Sequence, residues 1–265
     1  MAKSILIPKQ LQRFRLTLEK SAMEYMRCMP NTKATNLMNS KLGGMPYLPK
    51  GATHPRDATG EYMLLLAQIN FSEDSFPSPF PTKGLLQFFM SSWSYEQTLK
   101  TGNILPPNYF RIRYSPITVV HDMIEDFTYL HGVSMHQFPF EKELSLSFSR
   151  EIEPVSATDY RLNAYIPPNL VEQFTQTEQQ RFSDIYFHYF SSADHKMGGY
   201  PYFINEDIRA TTASFKKYDT LLLQIVSDDE MGIMWGDSGV LKFFINHEKL
   251  EKCDFSDVLL YIEDY

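Results

Sequence analysis

The chain has 265 residues, enough to bury a core without a metal or disulfide framework, and its two cysteines, Cys28 and Cys253, point to a reducing compartment. Its formal net charge of −7 disfavours non-specific binding to nucleic acid or to an anionic membrane, because nothing neutralises phosphates over a wide surface. An apolar fraction of 43% and a charged fraction of 22% are ordinary for a globular protein, so neither disorder nor a fibrous architecture is expected.

The opening stretch, MAKSILIPKQ, lacks the apolar run of a signal peptide, and no run approaches the ~18–20 residues of a membrane helix. A soluble cytoplasmic protein is the expectation. Residues 8–29 place Leu11, Phe14, Leu18, Ala22, Tyr25 and Met29 on one stripe, bounded by Pro8 and Pro30, which predicts an amphipathic helix. Next come KLGGMPY (41–47), LLLAQI (64–69) and KGLLQFFM (83–90), the last two read as strands. Residues 108–115 and 143–151 alternate and extend the sheet. Residues 169–190 predict a second amphipathic helix, with Asn169 as its cap.

After that helix the same order returns. KMGGYPY (196–202), TLLLQI (220–225) and SGVLKFFI (238–245) follow, and FSDVLLYIEDY closes the chain as a final strand. The Gly-Gly pairs lie 155 residues apart (43 to 198), the glutamines 156 (68 to 224) and the strand-entry glycines 155 (84 to 239). Three motifs in one order at nearly one offset predict a tandem duplication. The expected fold is therefore α+β, dominated by antiparallel sheet, with two repeats fused about a pseudo-twofold axis. One domain is expected, with halves at about 1–92 and 168–265 and a β-rich central insertion at about 93–167. Leu86, Phe88 and Met90, matched by Leu241, Phe243 and Ile245, predict a core face; Gln87 and Lys242 on the other face suggest partial exposure there.

The motifs KLGGMPYLPKG, LLLAQINF, GLLQFF and the block LLLQIVSDDEMGIMWGDSGVLKFFI resemble the YwqG-like family, domain of unknown function 1963, from about residue 36 to the end. The resemblance implies an intracellular mixed α and β protein and brings no catalytic residues. Some members resemble proteins encoded beside polymorphic toxins, which implies immunity or interaction roles.

Several stretches look like chemistry, and each has a plainer structural reading. Gly-Asp-Ser-Gly at 236–239 matches a serine-protease tetrapeptide, but Val240 follows where that motif continues with glycine, and no histidine stands in the required setting. Trp235 and Asp237 have no counterpart in the first half. They either cover the core and cap a turn, or bind a ligand. Lys41 and Lys196 beside their glycines could cradle an anion, although the phosphate-loop order is absent. The turn reading has each Gly-Gly aim Tyr47 or Tyr202 onto apolar surface. Gln68 and Gln224 interrupt apolar strands and are expected to bond irregular backbone, or a ligand. His131 and His136 are a weak zinc pair, His54 and His195 adjoin motif loops, and Asp228-Asp229-Glu230 reads as a solvated turn rather than a calcium loop. No metal and no cofactor are expected.

Three functions remain. The first is a non-catalytic protein-interaction module, immunity-like, with a toxin-like protein partner and neither nucleic acid nor membrane as target. The alternative is a small-ligand binder using the cleft between halves, with Trp235, Asp237, His195, Lys41, Lys196, Gln68 and Gln224 as candidate contacts. A hydrolase comes third.

Overall fold

The computed structural model describes residues 5–116, 122–135, 138–171 and 175–265. In chain order the strands are β1 (Met23–Asn31), β2 (Lys41–Leu42), β3 (Leu64–Asn70), β4 (Leu85–Met90), β5 (Ile104–Leu105), β6 (Phe110–Ser115), β7 (Leu144–Glu153), β8 (Lys196–Gly198), β9 (Thr220–Val226), β10 (Val240–Ile245) and β11 (Val258–Glu263). They make one antiparallel sheet in the order β5-β11-β10-β9-β8-β1-β7-β2-β3-β4-β6, rolled into a nearly closed barrel. With short helices attached, this is the expected sheet-dominated α+β fold.

The order is mirrored about its middle. Moving outward from the β1–β7 pair, β8 answers β2, β9 answers β3, β10 answers β4 and β11 answers β6. The central pair is crossed: β1 pairs with β8, while β7 pairs with β2. Residues 93–167, read from sequence as an insertion, supply β5, β6 and β7, and β7 lies at the sheet's centre.

Strands β3, β4, β9 and β10 are buried on both faces, which is why their sequences run as nearly continuous apolar stretches. Inside the barrel Phe88 and Phe243 meet at 4.9 Å between ring centroids, and Phe110 packs on Phe243 at 5.8 Å. On the outer face Phe89 is covered by Leu48, Met63, Phe127 and Leu130, and Phe244 by Phe203, Tyr218 and Leu259. These outer layers correct one expectation: Gln87 and Lys242 are fully buried, not partly exposed.

The predicted first helix is corrected as well. Helical turns occupy only Lys9–Phe14 and Arg15–Lys20, and Met23–Asn31 is the long strand β1. Its nine-residue ladder with β7, and β8 on its other edge, outweigh the helix propensity of Met, Glu and Arg. Pro30 fits because Cys28 N–H donates toward the β8 side at His195 O, so the donor that Pro30 lacks would point past the end of β8. The second predicted helix begins later than read. Pro168–Val171 is a separate turn, residues 172–174 lie outside the described residues, and the main helix is Gln176–Phe190. Thr175, not Asn169, caps it through a capping box with Glu178.

Candidate functional site

The twice-written Lys-x-Gly-Gly-x-Pro-Tyr turn builds the same polar knot in each half. Lys41 faces Gln68 across β2 and β3, and Lys196 faces Gln224 across β8 and β9. Gln68 Oε1 accepts the Tyr47 N–H at 2.9 Å, and its Nε2 donates to the carbonyls of Leu37 and Asn39. Gln224 Oε1 accepts the Tyr202 N–H at 2.8 Å, and its Nε2 donates to the carbonyls of Ser192 and Asp194. Both amides are thus satisfied on donor and acceptor sides by irregular backbone, as a buried amide requires.

The lysines are answered by carboxylates from the two ends of β7. Lys41, 1% exposed, donates to Glu143 at 3.2 Å, and the fully buried Lys196 donates to Glu153 at 2.7 Å. Burial pulls the Lys41 ammonium below its ordinary range, and Glu143 opposes that pull. Gly44 and Gly199 stand at φ of +73° and +69°, and a Cβ at either would strike the carboxylate of Glu143 or Glu153. The motif repeats because in both places a carboxylate that holds a buried lysine lies against bare backbone, although Glu143 is itself exposed while Glu153 is buried. Any anion cradled by these lysines is already part of the chain.

The halves then diverge. Gln87 Nε2 donates to Tyr47 O at 2.7 Å, and Lys242 Nζ donates to the matching Tyr202 O at 2.8 Å. Lys242 also pairs with the fully buried side chain of Glu263, whose oxygens accept the N–H groups of Ile204 and Asn205. Burial lowers the Lys242 ammonium to about 8, with Glu263 opposing. Over Phe89 sits His54, bonded to Met63 O at 2.7 Å; over Phe244 sits Arg209, held by Asp207 and Asp159.

A third divergence opens toward solvent. Ser40 Oγ accepts the Asn70 N–H at 2.8 Å, and in the second half His195 Nδ1 accepts the matching Val226 N–H at 3.3 Å. Because Nδ1 accepts a backbone proton, the neutral ring carries its own proton on Nε2 and donates it to Asp228 Oδ2 at 3.3 Å. Burial lowers the imidazole's pKa, and Asp228 and Asp194 oppose the shift. With both nitrogens engaged, the ring offers no lone pair as a base or a metal ligand.

His195 lines a recess of about 500 Å³. Asp194 stands on its wall, bound to Arg27 at 3.0 Å, and Asp228 Oδ1 accepts the Met231 N–H at 3.1 Å. Asp229 and Glu230 are exposed at the rim, and among the described residues their carboxylates have no partner. Met29, Pro30 and Met231 provide apolar lining. Four carboxylates against one guanidinium, with methionine beside them, suit a long cationic group: an aliphatic stem on the apolar lining and a charged head among the acids. On the other side of Asp194 lies a smaller recess of about 290 Å³, lined by Leu6, Tyr25, Glu153, Tyr189 and Ser192 among others. Leu6 is 88% exposed and Tyr189 50%.

The sequence candidates are therefore scattered. Only His195 lines the larger recess. Lys41, Lys196, Gln68 and Gln224 belong to the buried knots. Trp235 is 3% exposed in the main core, with an indole N–H that lacks a partner among the described residues, and Asp237 is exposed with its carbonyl accepting the Tyr265 N–H. Neither lines the recess. Ser238 sits in a tight turn at φ +63°, where Gly239 N–H returns to Trp235 O. Tyr47 is buried, as the turn reading expects, and Tyr202 is half-buried with its hydroxyl 3.1 Å from that of Tyr265. His131 is exposed, and His136 lies outside the described residues. Among the described residues no three His, Cys, Asp or Glu side chains gather into a metal-holding group, and both cysteines are free. No helix among them is long and apolar enough to cross a membrane.

Sequence reasoning missed Arg27 and Asp194, and it read Asp228-Asp229-Glu230 as a solvated turn. The available signal was the position of that cluster, directly after the strand whose end pairs with the His195 segment. Residues 40–263 match the protein family described as "Domain of unknown function (DUF1963)". No curated protein matches the chain.

Proposed function

The chain belongs to the DUF1963 family, whose description names no activity, and from that premise we propose that it is a protein-interaction module that receives a basic side chain of its partner in the recess beside His195. The observation that carries this reading is the juxtaposition at Asp194. An acid-rimmed recess adjoins a second one from which Leu6 and Tyr189 stand out into solvent. Exposed apolar groups next to a charged pocket have the character of a protein contact centre. A basic, toxin-like partner held in an immunity-like complex fits this chemistry and the chain's net charge of −7. A cytoplasmic location is part of the same reading, supported by the two free cysteines. The mirrored strand order and the matched hydrogen bonds of Gln68 and Gln224 support the further reading that two copies of one ancestral unit form a single domain.

The test is affinity capture from the native cell with the wild-type chain and with Asp229→Lys/Glu230→Lys. The reading requires a basic partner that the wild type retains and the double variant loses; identical captures from both would refute it. A second reading is favoured by the size of the recess alone: a small organic cation, such as a polyamine, bound there. At ~100-fold its Kd such a ligand would stabilise the fold by about 2.7 kcal/mol. A thermal-shift series with spermidine, agmatine and arginine measures this.

A further inference from the structure

The barrel is not quite closed, and the gap lies in sheet order as far as possible from the His195 recess, between β6 at one end of the sheet and β11 with the two-residue β5 at the other. On the β6 side, Ser91 N–H donates to Tyr109 O at 2.9 Å, which fixes the alternation of the ladder. Arg111, Arg113 and Ser115 exchange hydrogen bonds with Phe89, Gln87 and Leu85 of β4, while Phe110, Ile112 and Tyr114 turn their N–H and C=O groups toward the gap. On the β11 side, Ile262 N–H donates to Asn103 O at 2.9 Å and Leu260 pairs with Leu105 of β5. β5 then ends, and Val258 is the next residue on that edge. Among the described residues no group bonds the gap-facing backbone of Phe110, Ile112, Tyr114 or Val258. The seam is thus a wedge, closed at one end by β5 and open at the other.

A cavity of about 440 Å³ fills the open end, with Phe110, Ile112, Tyr114, Phe255 and Val258 on its walls. Its charge is unbalanced. Asp257 is engaged by Lys217 at 2.7 Å and by the Tyr218 hydroxyl at 2.6 Å, whereas the exposed Arg111 has no partner among the described residues. We infer that this seam accepts an added β-strand: an extended segment of another protein in which apolar residues alternate with acidic ones. The free backbone groups supply the ladder. Alternate side chains of the guest then fall into the apolar cavity and beside Arg111, following the two-residue period of a strand. A second copy of this chain is the wrong guest, because antiparallel pairing of β6 with itself about Ile112 sets Arg111 against Arg113.

The test is a selection of randomised nine-residue peptides displayed on phage against the full-length protein, with each binder re-measured on two variants. Ile112→Pro deletes a donor that β4 does not use, and Arg111→Glu reverses the exposed charge; thermal unfolding confirms that both remain folded. The expected result is binders that alternate apolar and acidic residues, weakened at least tenfold by each variant, with amide exchange at Phe110, Ile112 and Tyr114 slowed in the complex. A selection that returns no binder, or binders indifferent to both variants, overturns the inference. So does binding without slowed exchange at those three amides. Should Ile112→Pro unfold the chain, Arg111→Glu and the exchange measurement decide alone.

Discussion

The two Gly-Gly knots answer one structural demand with different chemistry. Each must satisfy the backbone of a Pro-Tyr segment that lies over a strand buried on both faces. The first half meets the Tyr47 carbonyl with the neutral amide of Gln87, and the second meets the Tyr202 carbonyl with the ammonium of Lys242, which then needs Glu263. Ser40 and His195 differ in the same way, since either side chain accepts a strand N–H but only the imidazole also reaches an acid. What the halves share is framework, and where they differ the second half carries extra charge. Of the charged divergences described above, the one at His195 adjoins an open recess, whereas Lys242, Glu263 and Arg209 are buried.

The buried charges should break the comparison most visibly. Lys242→Met strands Glu263 and is expected to cost about 3–5 kcal/mol in denaturant unfolding. Gln87→Met leaves one carbonyl without its donor and is expected to cost about 1–3 kcal/mol. The pair Lys242→Gln with Glu263→Gln, which makes the second half neutral like the first, should recover much of the larger loss. Equal costs for the two single variants would show that the ionic character of the second half is irrelevant.

At the turns the halves should instead agree. Gly44→Ala and Gly199→Ala each combine positive φ with a clash against a glutamate that holds a buried lysine. Each is expected to destabilise by at least about 1–3 kcal/mol, measured as a loss of melting temperature. A tolerant Gly199 beside an intolerant Gly44 would end the equivalence.

The smallest effect is on acid stability. Burial holds His54 and His195 below the ordinary value near 6.5. The unfolded chain therefore takes up protons first as pH falls below about 6.5, and stability declines by at most about 1.4 kcal/mol per pH unit for each ring. His195→Ser, which copies Ser40, should remove about half of that decline. An unchanged acid profile would mean that His195 titrates alike folded and unfolded.

These contrasts also explain what the sequence disclosed. Motif order and spacing were enough for the sheet-dominated fold and for the inward phenylalanines, because strands buried on both faces write themselves as apolar runs. β1 was hidden, since its Tyr25 and Met29 continue the helical stripe of Leu18 and Ala22, and only the distant β7 and β8 decide the matter. The full burial of Lys242 was hidden for a related reason: its partner Glu263 lies 21 residues away on another strand. The site was legible only at His195. Arg27 and Asp194 reach the recess through the β1–β8 pairing, which leaves no local pattern.

The most direct measurement of the central claim, that framework and binding are divided between the two kinds of acidic residue, sets Asp229→Lys/Glu230→Lys beside Glu73→Lys. Glu73 holds the Ser40 N–H and the Asn39 amide, whereas Asp229 and Glu230 hold nothing among the described residues. Unfolding and partner capture are read on each protein. The account expects the double variant to keep its melting temperature and lose the partner, and Glu73→Lys to lower the melting temperature. A double variant that unfolds early, or one that still captures the partner, would contradict it.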